Sequence, residues 1–108
     1  AFRMAGVTHD DVDLCTIYDS FTITVLATLE NLGFCKPGEG GAFVSNGRIG
    51  LGGELPVNPD GGGLSSNHPG MRGIFLVIEA VTAPLFLALM QLRVRRPRLL
   101  VAAGGGGV

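Results

Sequence analysis

The chain has no tryptophan and one tyrosine, and aromatic residues make up only 6% of it. Charge of one sign is also missing: eight basic and nine acidic residues leave a net charge of -1. That balance supplies no global pull toward nucleic acid or an acidic membrane surface. Cysteine is scarce. Cys15 and Cys35 are the only two, too few for a disulfide framework. With His9 and His68 they form no CxxC or HxxxH spacing, so no metal site is expected, since structural zinc needs about four ligands in paired spacing. Two reduced, mostly buried thiols are the expectation. No apolar run lies between Ala1 and Cys15, so there is no secretory signal pattern and a cytoplasmic setting is expected.

Glycine is what the chain has in excess. There are 18 in 108 residues, against a usual share of roughly 7%. They cluster instead of recurring every third residue, which excludes collagen. A hydrophobic content of 46% excludes a disordered chain. The length allows one small domain at most. A start at Ala1 and an end in Gly104–Val108 read as the borders of a piece of a longer protein.

Along the chain, Ala1–Gly6 reads as a last helical turn closed by Gly6. Thr8–Asp11 reads as a capping-box turn. Val12–Ile17 is a candidate strand. A helix capped by Asp19 or Ser20 runs to about Leu32, with Gly33 as its stop. Asn46-Gly47, between Ala42–Val44 and Arg48–Ile49, signals a hairpin. Asn58–Gly63 is a loop. Gly70 or Met71 opens an apolar helix through about Val81, and Arg98–Ala103 reads as a buried strand entering a glycine turn. The order β-α-(hairpin)-loop-α-β implies an α/β layer. Residues 74–92 carry a single charge, Glu79. Their length invites a membrane reading, but Glu79 and Pro84 favour a core helix.

Two residues stand out chemically. His68 follows a glycine loop and precedes a helix. Glycine lets backbone approach a ligand closely, and a helix start favours developing negative charge. A histidine there can donate to an oxyanion or act as acid or base. Tyr18, the only tyrosine, sits at a strand-to-helix junction.

Asn58-Pro-Asp-Gly-Gly-Gly-Leu-Ser-Ser-Asn-His-Pro-Gly-Met-Arg-Gly73 resembles the thiolase segment running from an Asn-x-x-Gly-Gly loop through Gly-His-Pro to a helix. Tyr18-Asp19-Ser20-Phe21 sits where thiolases carry Asn-Glu-Ala-Phe, or His-Asp-Cys-Phe in the sterol-carrier type. Ala5–Thr8 and Asp11–Asp13 resemble the approach to that motif. The chain is therefore similar to the C-terminal part of a thiolase, nearest to the lipid-transfer-protein or acetyl-CoA-acetyltransferase-like group. The resemblance is clear over residues 1–81, breaks over 82–98, and returns weakly over 99–108 in a strand and glycine-rich turn.

This resemblance implies an incomplete half of a mixed, five-stranded sheet layered with helices. It implies chemistry on acyl-CoA thioesters, with coenzyme A arriving as part of the substrate and no other cofactor. His68 would help activate a nucleophilic cysteine borne by the absent half and would stabilise a thioester oxyanion; Tyr18 would hold a water or oxyanion. Asn58, Gly62, Gly63 and Asn67 would line the substrate. Both places where the family keeps its acid/base cysteine lack one: Ala102-Ala103-Gly104 replaces Cys-x-Gly, and Ser20 is the substitute in the other. Two alternatives follow: a retro-aldolase that uses Tyr18 and pairs with an OB-fold protein, or a non-catalytic acyl-CoA- or partner-binding module. The parent is expected to be a homodimer, and this piece alone inactive.

Overall fold

The computed structural model describes residues 1–67, 70–90 and 99–102 of the chain. The chain opens with α1 (Phe2–Ala5), which Gly6 closes in a left-handed conformation at φ 66°. Thr8 and Asp11 then bracket a 3-10 turn over His9–Asp11. The Thr8 N–H and hydroxyl both donate to the Asp11 carboxylate, at 2.9 and 3.0 Å. The turn places His9 between Phe2 and Phe34, with ring centroids 4.4 and 5.0 Å away. His9 Nε2 lies 2.7 Å from the Leu32 carbonyl at the end of α2 (Thr22–Leu32). His9 is thus a packing residue that pins the chain start to that helix end.

β1 (Leu14–Ile17) is buried at all four positions, as expected of a strand covered on both faces. Its start falls inside the expected Val12–Ile17. On one side it pairs in parallel with β2 (Leu99–Ala102), in register from Leu14–Leu99 to Ile17–Ala102. On the other, the Cys15 N–H donates to the Pro56 carbonyl and the Asn58 N–H donates to the Cys15 carbonyl, both at 2.9 Å. Val57 thereby forms a parallel bridge with Cys15. β1 is therefore the middle strand of a short parallel layer. Cys15 and Ile17 join Leu29 of α2 and Leu55 in one core, with Val12, Val25, Phe34, Phe43, Val44, Ile49 and Val57 packed around it. Toward the opposite face, the Thr16 hydroxyl donates to the Leu76 carbonyl at 3.4 Å. Leu76 and Ala80 are the buried apolar residues on that side. Helices on both faces of parallel strands bear out the α/β layer. Among the described residues the sheet holds only these two strands and the Val57 bridge.

Three local expectations are corrected. The helix α2 begins at Thr22 with Phe21 at its cap position and no side-chain cap. Asp19 and Ser20 serve other partners, described below. The β-branched run Thr22–Val25 still folds as helix, because burial of Leu29 against β1 outweighs a propensity difference of only ~0.5 kcal/mol per residue.

The hairpin at Asn46-Gly47 does not form. α3 (Gly40–Phe43) is followed by a 3-10 turn over Ser45–Gly47. Asn46 and Gly47 do take the positive φ that the dipeptide signals, 60° and 73°. The upstream arm, however, is helical and packs Phe43 and Val44 into the core. The downstream arm pairs forward: the Leu55 N–H donates to Arg48 and the Val57 N–H to Ile49, both at 3.0 Å.

The last helix, α4, spans Arg72–Met90 and runs well past Val81 with Pro84 inside it. Proline lacks an N–H, so the helical bond to the Ala80 carbonyl is missing there. Among the described side chains of α4, one stripe is covered. Val81 is 65% exposed and Leu85 59%, and Ile74, Val77 and Ile78 are about half exposed. The expected core helix is therefore a core helix on one face. Among the described residues no helix is long and apolar enough to cross a membrane. Arg93, Arg95, Arg96 and Arg98, the four arginines after Leu92, and the Gly104–Gly107 turn lie outside the described residues.

Candidate functional site

In open parallel α/β layers, ligand sites gather beyond the carboxyl ends of the strands. Here β1 ends at Ile17 and delivers Tyr18, Asp19 and Ser20 into the connection to α2. The neighbouring segment ends its pairing at Asn58 and enters the glycine loop. Two side chains bind these exits together.

The first is Asn58, held at φ 49°, a left-handed conformation that asparagine tolerates better than most residues. Its Oδ1 accepts the Ile17 N–H at 2.7 Å and its Nδ2 donates to the Ile17 carbonyl at 2.9 Å. The side chain so extends the ladder by one step past Val57. The second is Asp19, 3% exposed. Its carboxylate accepts the Gly63 N–H at 2.8 Å and the Leu64 N–H at 3.1 Å. A buried carboxylate is tolerated when donors meet it, and charge-assisted bonds are the stronger kind.

Gly62 fits beneath both. At φ 69° and ψ -171° it occupies a region open essentially to glycine alone. A methyl group there would strike the Asp19 carboxylate and stand 3.0 Å from Asn58 Nδ2. Further bonds close the loop. Asp60 accepts the Gly62 N–H at 2.9 Å and, through its other oxygen, Arg72 Nη2 at 3.2 Å. The Ser65 and Ser66 hydroxyls donate to the Gly62 carbonyl at 3.1 and 3.2 Å. With the Gly61 N–H on the Asn58 carbonyl, four consecutive amides, Gly61 to Leu64, are engaged inside the protein. The loop therefore offers a fixed shape at these positions, not open amides for an anion.

Tyr18 is half-buried beside Asp19, at the strand-to-helix junction expected of it. The Ser20 hydroxyl lies 2.9 Å from that of Thr24. Asn67 is exposed at the end of the loop. His68 lies outside the described residues. The structure thus brings Tyr18, Ser20, Asn58, Gly62 and Gly63 to one end of the layer.

Neither cysteine is prepared for attack. Cys15 is fully buried, and burial pushes its thiol up to about 12. Cys35 is also shifted upward, first by desolvation and then by the carboxylates of Glu30 and Glu39. A nucleophilic cysteine needs the opposite shift. Among the described residues no group of three or more metal-ligating side chains converges.

Sequence reasoning gave Asp60 and Arg72 no role, and it gave Asp19 none beyond a helix cap and a place in the Tyr18–Phe21 motif. Arg72 is the one charge at the mouth of an apolar helix, and that isolation was the available signal. Its side chain is 7% exposed, paired with Asp60, with Nε buried and unbonded among the described residues. One turn pair further on, desolvation and the Asp60 carboxylate raise the Glu79 pKa, opposed by the Thr82 hydroxyl and Arg72.

Comparison with known proteins places this geometry. The family described as Thiolase C-terminal domain-like matches residues 1–108. An acetyl-CoA acetyltransferase of Methanothermobacter thermautotrophicus is 42% identical over 82 residues, 75% of this chain and 21% of that protein. A 17-hydroxy-3-oxo-4-pregnene-20-carboxyl-CoA lyase of Mycobacterium tuberculosis is 45% identical over 74 residues, 68% of this chain and 19% of that protein. Sterol carrier protein 2 of Rattus norvegicus is 40% identical over 68 residues, 63% of this chain and 12% of that protein. Among solved structures, a chain of an Ltp2-ChsH2(DUF35) aldolase superposes with a TM-score of 0.68 at 36% identity, covering 77% of this chain and 21% of that one. The chain thus spans about a fifth of the length of the first relatives it matches. Its matched span and its similarity to acetyl-CoA acetyltransferases and sterol carrier protein 2 place the chain in the thiolase family, as a C-terminal domain-like member.

Proposed function

We propose that this segment is the C-terminal part of a thiolase-like enzyme that processes acyl-CoA thioesters. The observation that carries the reading is the joining of two exits. Asn58 and Asp19 hold the end of β1, with Tyr18, against the glycine loop that leads to His68. In this reading His68 activates a cysteine nucleophile contributed by the rest of the polypeptide and donates to the thioester oxyanion. Tyr18 holds the water or second oxyanion. Asn67 and the loop of Asn58, Gly62 and Gly63 line the substrate, and Ser20 stands in the acid/base position. Coenzyme A enters with the substrate. The complete protein is a cytoplasmic homodimer with a mixed five-stranded sheet, of which residues 1–81, 82–98 and 99–108 form a common, a divergent and a closing part.

A second reading has specific support: the phenol of Tyr18 where the family has Asn or His, and no thiol at Ser20 or Ala102. In it, the enzyme is a retro-aldolase that cleaves a β-hydroxyacyl-CoA, with Tyr18 in proton transfer and an OB-fold protein as partner. The similarity to a carboxyl-CoA lyase and to an aldolase complex supports this version.

One assay separates the two. The complete polypeptide is offered acetoacetyl-CoA with free coenzyme A, and separately a β-hydroxyacyl-CoA. Thiolysis lost in His68→Ala supports the first. Cleavage to a carbonyl compound and a shorter acyl-CoA, lost in Tyr18→Phe, supports the second. Acyl-CoA binding without any turnover, unchanged by His68→Ala, overturns both in favour of a non-catalytic binding module.

A further inference from the structure

Asp19 has no place among the residues that meet substrate, yet it is the most buried carboxylate described and joins two otherwise separate segments. Its two oxygens take the amides of Gly63 and Leu64 at 2.8 and 3.1 Å. Its backbone follows directly on Tyr18. Gly62 packs so closely that no side chain fits between the carboxylate and Asn58. Asp60, Ser65 and Ser66 fasten the loop at Gly62, and the Asp19 carboxylate fastens the next two amides, which the wide φ and ψ freedom of Gly61 and Gly62 would otherwise leave loosely set. A group with two acceptors aimed at two successive amides sets both the height and the tilt of the loop; one with a single acceptor would set only its height.

We propose that Asp19 is a positioning residue: its carboxylate latches the Gly61–Ser66 loop to the end of β1 and so fixes the spacing between Tyr18 and Asn67 at the loop's end. This rests on the reading of the end of the layer as an acyl-CoA site. Placement errors of about 1 Å in such sites cost on the order of 100-fold in rate, so the latch acts on turnover more than on substrate affinity.

The molecule supplies its own control. Glu30 holds two loop amides outside this site with a single acceptor: one carboxylate oxygen accepts the Gly38 and Gly40 amides at 3.0 and 2.9 Å. Asp19→Asn keeps one acceptor and turns an NH2 against the second amide. Glu30→Gln keeps the single acceptor oxygen and removes only the charge that strengthens its two loop bonds. Both variants are made in the complete polypeptide, with hydrogen exchange of the peptides covering residues 61–66 followed alongside steady-state kinetics on the acyl-CoA that the wild type turns over.

The expected result is exchange at residues 61–66 faster by about tenfold or more in Asp19→Asn, kcat lower by about tenfold or more, and KM within about threefold. Glu30→Gln should lower the melting temperature with kcat unchanged. Unchanged exchange at residues 61–66 overturns the latch. So does a folded Asp19→Asn enzyme with wild-type kcat, or a kcat loss that Glu30→Gln reproduces. If the wild type turns over no acyl-CoA thioester, the acyl-CoA reading fails, and the exchange measurement alone decides the latch.

Discussion

At Gly62 the backbone and its surroundings forbid a side chain for separate reasons, and the two add. The conformation alone costs a non-glycine residue about 1–3 kcal/mol, and the Asp19 carboxylate occupies the space a methyl group needs. Gly62→Ala is therefore expected to destabilise by at least ~2 kcal/mol in urea titration. Gly41 has open space around it and no positive φ. Gly41→Ala inside α3 should be neutral or stabilise by up to ~1 kcal/mol. Thiols give a second contrast. Cys15 is protonated in the folded chain up to about 12, whereas an ordinary thiol titrates near 9.0. Its folded pKa is raised, so the stability it contributes is complete below pH 9 and is lost as pH climbs toward 12. Melting temperature followed from pH 8 to 11 should fall, and Cys15→Ala should flatten that fall. Iodoacetamide should label Cys35 before Cys15. At this scale the glycine loop and Tyr18 were legible, because glycine clusters and strand ends are local signals. Asp19 was misread for the same reason. An acidic residue before a helix looks like a cap, and nothing local reveals that its partners are Gly63 and Leu64.

Elements follow the same division between local and distant causes. Gly6 and Gly33 stop their helices where the sequence puts them, since a left-handed C-terminal residue depends on little else. Asn46-Gly47 shows the limit. The dipeptide set its own dihedrals but not its neighbours', because Phe43, Val44 and Ile49 gain more by packing on Leu29 and Leu55 than by facing each other across a hairpin. Pro84 failed to stop α4 for a related reason: residues that bury against β1 lie before it, and the helix is already established when the chain reaches it. The two faces of α4 should respond unequally to truncation. Leu76→Ala, at a position 1% exposed, should cost about 2–5 kcal/mol. Val81→Ala, exposed, should change stability by less than ~0.5 kcal/mol in the isolated chain. Chemical denaturation of the two variants checks the pair.

For the molecule as a whole, the order strand, helix, loop, helix, strand was enough to expect an α/β layer, because strands alternating with helices leave few other arrangements; that β1 and β2 run parallel came from the structure. The order was not enough to show that β1 is central, since the Val57 bridge carries almost no strand signal of its own. The uncovered stripe of α4 belongs to this scale. Met71 just before the helix and Ile74, Ile78, Val81 and Leu85 along it are each about half exposed or more, the kind of apolar row that marks an interaction surface. The isolated 108-residue chain should bind a hydrophobic dye and associate in sedimentation. Ile78→Lys with Val81→Lys should reduce both, and in the complete polypeptide the same pair should lower the melting temperature. The pairing of residues 14–17 with 99–102 also sets a timetable. Within this segment β1 leaves the ribosome first, and its partner follows only after nearly all of the segment has been made. Until then the segment around Val57 is the partner that this stretch of chain itself supplies to Leu14–Ile17. One edge of a strand that ends up buried at every position stays open for several seconds at about 5–20 residues per second. The nascent chain is therefore most exposed to mispairing just before Leu99 appears, the interval in which a chaperone would have most to protect.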